Sequence, residues 1–509
     1  MPVLFDAVNK AKKTFSPQTV SLVVCALIVV ALVQTMTTFK RQFGVVIVGG
    51  GPAGLAVLLA AHKDGTLTEL LRQGLLIVEQ SSHIGNGLIG SYAITSDSTG
   101  TTFVDPLRAG GEEALHRILE TPVGRKIAAA GPNAIPLTEA GELLALVGQA
   151  FESIISRFPE SAVMTSTTAE YARLQPDGSW LLAITDADGR KRSIEAEQVI
   201  LATGAAQPPV RLEHEWVAGK PLMERWGDRL LQSGDVIGIG GAARVSALLA
   251  GKANPRVAIV GGSTSGMSVA YSLLNRVEGL QFGECGVTLF HRRPLRVYYT
   301  SVEEAIADGY TEFGPDDLCP ITNRVFRFAG MRLDSRELLM RLFGIGGRPP
   351  EPRMKLHQLI EEDAEAVAFI DSADLVVAAL GYRPNALRIL NVDGAEIPLL
   401  AHTGPKAPMV DDCCRVMSSE RSPIPGLYGI GLAAGFQPRG KLGGEPSFIG
   451  QANGLWLWQN DVGSIIVNAV LSSTAGSLAT PRSAPQAAFK HLADSHTGHR
   501  TLLACGTGD

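Results

Sequence analysis

Four residues carry the first chemical signal in this chain. In FGVVIVGGGPAGLAVLLAAH, Gly49, Gly51 and Gly54 keep the G-x-G-x-x-G spacing, and Glu79 closes a second apolar run, Leu75 to Val78. Glycine at these positions lets the chain turn tightly, lets backbone N–H groups approach a pyrophosphate and lets the following helix pack closely. That helix, entered through Pro52 and Ala53, supplies partial positive charge at its N-terminus. A carboxylate at Glu79 accepts hydrogen bonds from ribose hydroxyls, so strand, glycine turn, helix, strand and acid together spell an adenine dinucleotide site.

The same order recurs downstream in VAIVGGSTSGMSVAYSLL, where Gly261, Ser263 and Gly266 occupy the three glycine positions. Ser263 departs from the pattern but keeps a small side chain. The next strand, in GVTLFHRRPL, ends in His291-Arg292-Arg293 and not in an acid. An acid there favours the free 2′-hydroxyl of NAD, whereas arginine pairs with a 2′-phosphate, so Arg292 and Arg293 point to NADPH.

Regular elements must hold these turns in place. Val45 to Val48 reads as a buried strand, and Leu55, Leu58 and Leu59 give the helix after it a core-facing stripe. Leu143, Val147, Phe151, Ile154, Ile155 and Phe158 recur at helical spacing. Tyr171 to Leu174, Trp180 to Thr185 and Ser193 to Ala196, separated by Pro176-Asp177-Gly178 and Asp188-Gly189, form a β-meander. It feeds a buried strand, QVILATGA, ended by Gly204. The stretch from Glu303 to Leu356 reads as a long irregular insertion, either a substrate-facing lid or a surface elaboration. An apolar helix is expected from Phe448 to Leu471, including Trp456 and Trp458.

Composition limits the partners. The formal net charge of −5 over 509 residues leaves no basic field for nucleic acid. The six cysteines (Cys25, Cys285, Cys319, Cys413, Cys414, Cys505) include no C-x-x-C pair and no metal-ligand spacing, so no metal is expected. No charge occurs from Thr14 to Phe39, and Val20 to Val33 is almost wholly aliphatic. Residues 19–38 are therefore a candidate transmembrane anchor of a cytoplasmic enzyme, with a signal peptide or a start at Met36 as the competing readings.

Taken in order, these motifs resemble the two-dinucleotide-binding-domain flavoprotein superfamily over Gly44 to Leu471. The resemblance implies an α/β fold of two Rossmann-like domains with a β-meander, the NADPH domain being inserted in a discontinuous FAD domain. It also implies FAD at the first motif and NADPH at the second. SADLVVAALGYRPN resembles the return crossover, and MVDDCCRVMSSERSPIPGLYGIG the late segment beneath the flavin. There the family places an aspartate after the last glycine, Gly431, and this chain has Leu432. His83 and Arg108 fall where relatives contact pyrophosphate and flavin.

The expected organisation is an N-terminal segment (1–42), a first FAD part (43–212), a linker (213–252) and an NADPH domain (253–384). A second FAD part (385–471) and a disordered tail (472–509) complete it. Disulfide-reducing members carry a dithiol that is missing here, and the adjacent Cys413 and Cys414 read as structural. Asp374 with AALGY partly resembles the N-hydroxylating monooxygenases, Leu380 replacing their threonine. The expected function is thus FAD-dependent, NADPH-using hydroxylation of a small organic substrate, an amine among the candidates. The alternative is a membrane-tethered dehydrogenase or oxidase. The sequence names no catalytic side chain.

Overall fold

A computed structural model describes residues 42–403 and 407–477. The apolar runs become parallel strands covered on both faces, which is why they are continuous and not alternating. Strand β1 (Gln42–Val48) leads through the glycine turn into helix α1 (Pro52–Lys63), and β2 (Leu75–Val78) lies parallel to β1 with Val45 opposite Leu75. Helix α2 (Leu137–Ile155) buries Leu143, Val147, Phe151, Ile154 and Ile155 of the expected stripe, whereas Phe158 lies past the helix end and is half-buried. Helix α1 differs from its expected single stripe, because every residue from Ala53 to His62 is buried.

The first sheet has nine strands in the order Arg388–Leu390, Thr168–Leu174, Trp180–Thr185, β3 (Lys191–Leu201), β1, β2 and Ala162–Met164, with Pro423–Gly429 pairing beside β3 and Arg415–Met417 beyond it. The expected meander strand and the QVILATGA strand are one element. Residues 191–196 of β3 pair antiparallel with Trp180–Thr185, and residues 195–201 pair parallel with β1.

The second sheet is five-stranded and parallel, in the order Leu230–Gln232, β6 (Leu375–Ala378), β4 (Val257–Val260), β5 (Val287–His291) and Met354–Gln358. Helix α3 (Thr264–Asn275) follows β4. Because the chain rejoins the first sheet at Arg388, the second unit is inserted in the first. The two crossovers run side by side: Ala205–Ala206 pairs antiparallel with Arg383–Pro384, and the Asn385 side-chain amide donates to the Thr203 carbonyl at 3.0 Å.

The 303–356 stretch is not an irregular lid. It supplies a helix (Leu333–Phe343) and the edge strand Met354–Gln358, because Phe326, Leu338, Leu339 and Met340 are apolar enough to join the second unit's core. Its middle and the 344–353 connection are irregular, and the middle grips the end of the first unit. The buried Glu445 carboxylate accepts from the backbone N–H groups of Phe328 and Ala329 at 2.9 and 2.8 Å, and Arg327 donates to the Leu442 carbonyl at 2.8 Å. Cys319 lies in the same knot: burial alone would push its thiol up, but hydrogen bonds from Thr322, Gly444, Arg327 and Ile321 bring it down to about 6.

The closing helix also departs from expectation. Phe448 lies in a turn, Leu455–Leu457 begins the helix, Trp458–Val462 winds as a π-helix, and α4 (Gly463–Ser477) continues past Leu471. Gly463 fits against Ala56 and Ala60 of α1, covering that helix's outer face. Among the described residues no helix is long and apolar enough to cross a membrane. The candidate anchor at 19–38 and the expected tail beyond Ser477 lie outside the described residues.

Replacing Glu445 by alanine strands the N–H groups of Phe328 and Ala329, at a cost of about 1–3 kcal/mol per unsatisfied group. Hydrogen exchange over residues 316–330 should accelerate while β3 keeps its protection. Unchanged exchange in that segment would show that the knot does not depend on the carboxylate.

Candidate functional site

Both glycine turns are built by the same close approaches. A β-carbon on Gly49 would lie 2.3 Å from the Ala202 carbonyl oxygen, and one on Gly54 would lie 2.1 Å from that of Gly49. In the second unit a β-carbon on Gly261 would meet Ala379 O at 2.2 Å, and one on Gly266 would meet Gly261 O at 2.2 Å. No side chain fits where a carbonyl already stands. Gly51 differs: its nearest neighbour is Gly87 at 3.6 Å, so its missing side chain leaves room on the open side of the turn. Ser263, at the matching position, keeps that room by folding back, its hydroxyl donating to the Ala379 carbonyl at 3.2 Å.

Glu79 does more than end β2. One carboxylate oxygen accepts from Gly50 N–H at 2.7 Å and the other from Ser81 N–H at 2.8 Å, tying the glycine turn to the loop after β2. Each oxygen keeps a further lone pair for a ribose hydroxyl.

A cavity of about 1040 Å³ opens where the carboxyl ends of the two sheets face one another. Gly49, Gly51, Pro52, Ala53 and Glu79 line it from the first unit, and Thr264, Ser265 and Ser268 from the start of α3. Gly204 lines it from the first crossover, with φ at +70°. Gly431, φ +81°, sits against Ala53, where a β-carbon would come within 2.5 Å of the Ala53 methyl. It turns Leu432 into the cavity wall beside Trp458 of the π segment, so an apolar side chain stands where the resembling family has an acid. These features fit a dinucleotide with a large planar ring system: room beside Gly51, backbone donors at a helix start, an acid at ribose distance in sequence, and apolar surface beyond.

Two expected residues lie elsewhere. Arg108 is exposed in the last turn of Gly100–Arg108 and pairs with Asp105 at 3.0 Å, because the buried face of that helix is Phe103, Val104 and Leu107. His83 is exposed between Ser82 and Asn86, its ring nitrogens 3.1 and 3.0 Å from their side-chain oxygens. Neither lines the cavity. Arg292 and Arg293 are exposed just past the end of β5, and Arg292 donates to the Trp216 carbonyl at 2.8 Å. Asp374 sits at the opposite end of β6 from the cavity, accepting from Arg256 N–H at 2.9 Å and Lys252 at 2.9 Å. None of the described cysteines lines the cavity; Cys414 is buried beside the first sheet and burial pushes its thiol up.

Sequence reasoning missed the strand Thr95–Thr99, a short polar run with no apolar period to announce it. It carries Asp97 to the cavity wall. Asp97 is surrounded by protein yet open to the cavity, and no described residue gives its carboxylate a hydrogen bond or an ion pair within reach. Desolvation raises its pKa to about 6, against the opposing pull of Arg332. Nearby, the Tyr92 and Tyr382 hydroxyls meet at 2.8 Å, joining the first unit to the return crossover, and burial pushes the Tyr382 phenol up.

Comparison with known proteins agrees with this geometry. Residues 43–314 match the family model described as pyridine nucleotide-disulphide oxidoreductase. The CMP-5′-(3-aminopropyl)phosphonate hydroxylase of Streptomyces rubellomurinus is 31% identical over 437 residues, covering 85% of this chain and 98% of the relative. Among solved structures, the FAD-bound cadaverine monooxygenase of the desferrioxamine pathway from Erwinia amylovora superposes with a TM-score of 0.50 at 11% identity. It covers 91% of this chain and 100% of that one, and shows the shared fold. An ornithine hydroxylase from Pseudomonas aeruginosa gives a TM-score of 0.47 at 11% identity, over 85% of this chain and 100% of that one.

Two outcomes follow from the site itself. Glu79→Ala should lower retention of bound flavin on desalting, since a charge-assisted hydrogen bond to ribose is worth about 1.5–3 kcal/mol; unchanged retention would remove Glu79 from the site. Asp97 has a raised folded-state pKa, so its contribution favours folding below the unfolded value near 3.8 and is lost as pH rises through about 6. Asp97→Asn should therefore melt higher than the parent at pH 8, with the gap closing as pH falls towards 4. A gap that stays constant with pH would contradict this.

Proposed function

The chain belongs to the pyridine nucleotide-disulphide oxidoreductase family, and from that premise we propose that it is a monooxygenase that uses FAD and NADPH to hydroxylate an amine-bearing small molecule. It is a flavin-dependent oxidoreductase, and FAD and NADPH are its cofactors. The observation that carries the finer reading is the single cavity lined by both dinucleotide turns, with one unpaired carboxylate, Asp97, in its wall. The relative named as a hydroxylase of a nucleotide-linked aminopropyl phosphonate supports the same class of substrate.

In this reading Gly49 to Gly54 and Glu79 hold the pyrophosphate and ribose of FAD, and the start of α3 faces the pyrophosphate of NADPH. Arg292 and Arg293 take its 2′-phosphate. FAD held there would supply the redox chemistry, taking up the hydride of NADPH and passing electrons to dioxygen. Asp97 is an anion above about pH 6 and attracts the substrate's ammonium group, while it would repel a phosphate. Ile94, Leu432 and Trp458 give the cavity apolar surface that excludes water around the reacting groups. Overall, amine, dioxygen, NADPH and a proton give hydroxylamine, NADP⁺ and water.

The test is incubation of FAD-loaded enzyme with NADPH, ¹⁸O-labelled dioxygen and either CMP-5′-(3-aminopropyl)phosphonate or free aminoalkyl phosphonates. Mass spectrometry should find one labelled oxygen in the organic product, with NADPH preferred over NADH by about tenfold, or 1.4 kcal/mol. NADPH consumption that yields only hydrogen peroxide with every amine, alongside fast reduction of a quinone, would overturn the reading.

A further inference from the structure

The second sheet places its cofactor crevice at the carboxyl ends of β6, β4 and β5, which lie side by side in that order. One segment outside that sheet spans the crevice. At its start Arg211 donates to the carbonyls of Leu380 and Gly381, at 2.5 and 3.1 Å, just past the end of β6. At its far end the Trp216 carbonyl accepts from Arg292, just past the end of β5. Between these two ties lies the exit of β4, the Gly261 to Ser263 turn. The segment is firmly seated, because Leu212, Val217, Leu222 and Trp226 are buried against Val260 and Phe290.

Its one large exposed apolar group is the Trp216 indole, beside the exposed Glu213 and His214. Trp216 is 56% exposed, although the hairpin it starts (Trp216–Val217 with Lys220–Pro221) is anchored on both sides. No described ring or guanidinium stacks on it. The Arg292 side chain is bound to the backbone of the same residue, so a flat aromatic surface and a cation are fixed together at the exit of β5. That is where a Rossmann-type crevice receives the adenosine end of a dinucleotide.

We propose that Trp216 is a stacking platform for the adenine of NADPH, and that its carbonyl positions Arg292 to meet the 2′-phosphate of the same nucleotide. This rests on the NADPH reading given above. An indole has only two side-chain torsions to order on stacking, and base stacking on an aromatic ring is tolerant because every base has a π face. The cofactor is therefore gripped at its adenosine end by a residue from the linker ahead of β4, and not by the dinucleotide motif alone.

Binding of adenosine 2′,5′-bisphosphate and of ADP to the FAD-loaded enzyme, measured by calorimetry and by tryptophan fluorescence, tests this. Trp216→Ala should bind both nucleotides about fivefold or more weakly, because both carry adenine. Trp216→Phe should keep most of the affinity while losing the fluorescence response, and Arg292→Ala should weaken the bisphosphate more than ADP. Flavin absorbance of each variant checks that the fold is intact. If Trp216→Ala binds both nucleotides like the parent while the parent still prefers the bisphosphate, the platform is wrong and the NADPH reading stands. If the parent binds both equally, the NADPH preference is wrong and ADP alone decides the platform. Failure of the parent to bind either nucleotide would sink both.

Discussion

At Gly54 and at Gly266 a peptide carbonyl oxygen occupies the place of a side chain, and the rest of the molecule is arranged around those two contacts. Each brings the first turn of a helix onto the end of its own strand, so the helix start points at the cavity and not past it. The strand beside each turn is held just as closely, Ala202 O against Gly49 and Ala379 O against Gly261. The two halves thus solve one steric problem twice with the same solution, although their sequences differ at the middle glycine. Ser263 shows how much latitude remains: a hydroxyl is tolerated because it has a carbonyl to turn towards.

What could be read along the chain was whatever is decided locally. The strands Leu75–Val78 and Val257–Val260, the glycine turns and the stripe of α2 are encoded within a few residues of themselves, and they stand where their patterns put them. β3 was harder because its partners change midway, and its burial changes with them, alternating from Ile194 and continuous from Gln198 to Leu201. Asp97 was illegible for a different reason. Ser-Asp-Ser-Thr has no apolar period, and its significance comes only from the helix and crossover that close around it. Arg108 has the right order in the chain, but order does not say which side of a helix faces the site, and its side chain points to solvent.

The contacts between the units are likewise beyond a linear reading. Glu445 and Phe328 are far apart in the chain, and the crossovers at Ala205 and Arg383 meet only once both sheets exist. The joint is directional: two short antiparallel segments, a tyrosine pair and a buried carboxylate, joined by the Phe328 ring against that of Phe448 at 5.7 Å between centroids. Such a joint fixes relative orientation through directional hydrogen bonds, and any reorientation must break them as well as part the packed rings.

The π segment Trp458–Val462 has a consequence of its own. A helix wound this way carries a surplus residue relative to α-helical winding, and each residue of an α-helix turns the chain by about 100°. The surplus is what sets the rotational phase between Trp458, which faces the cavity, and α4, which is fitted to α1 through Gly463. The aim of one side chain is therefore stored in the length of the chain and not in the identity of any residue, and it is a gap in this stretch, more than any exchange of residue types, that would mark a relative with a differently shaped site.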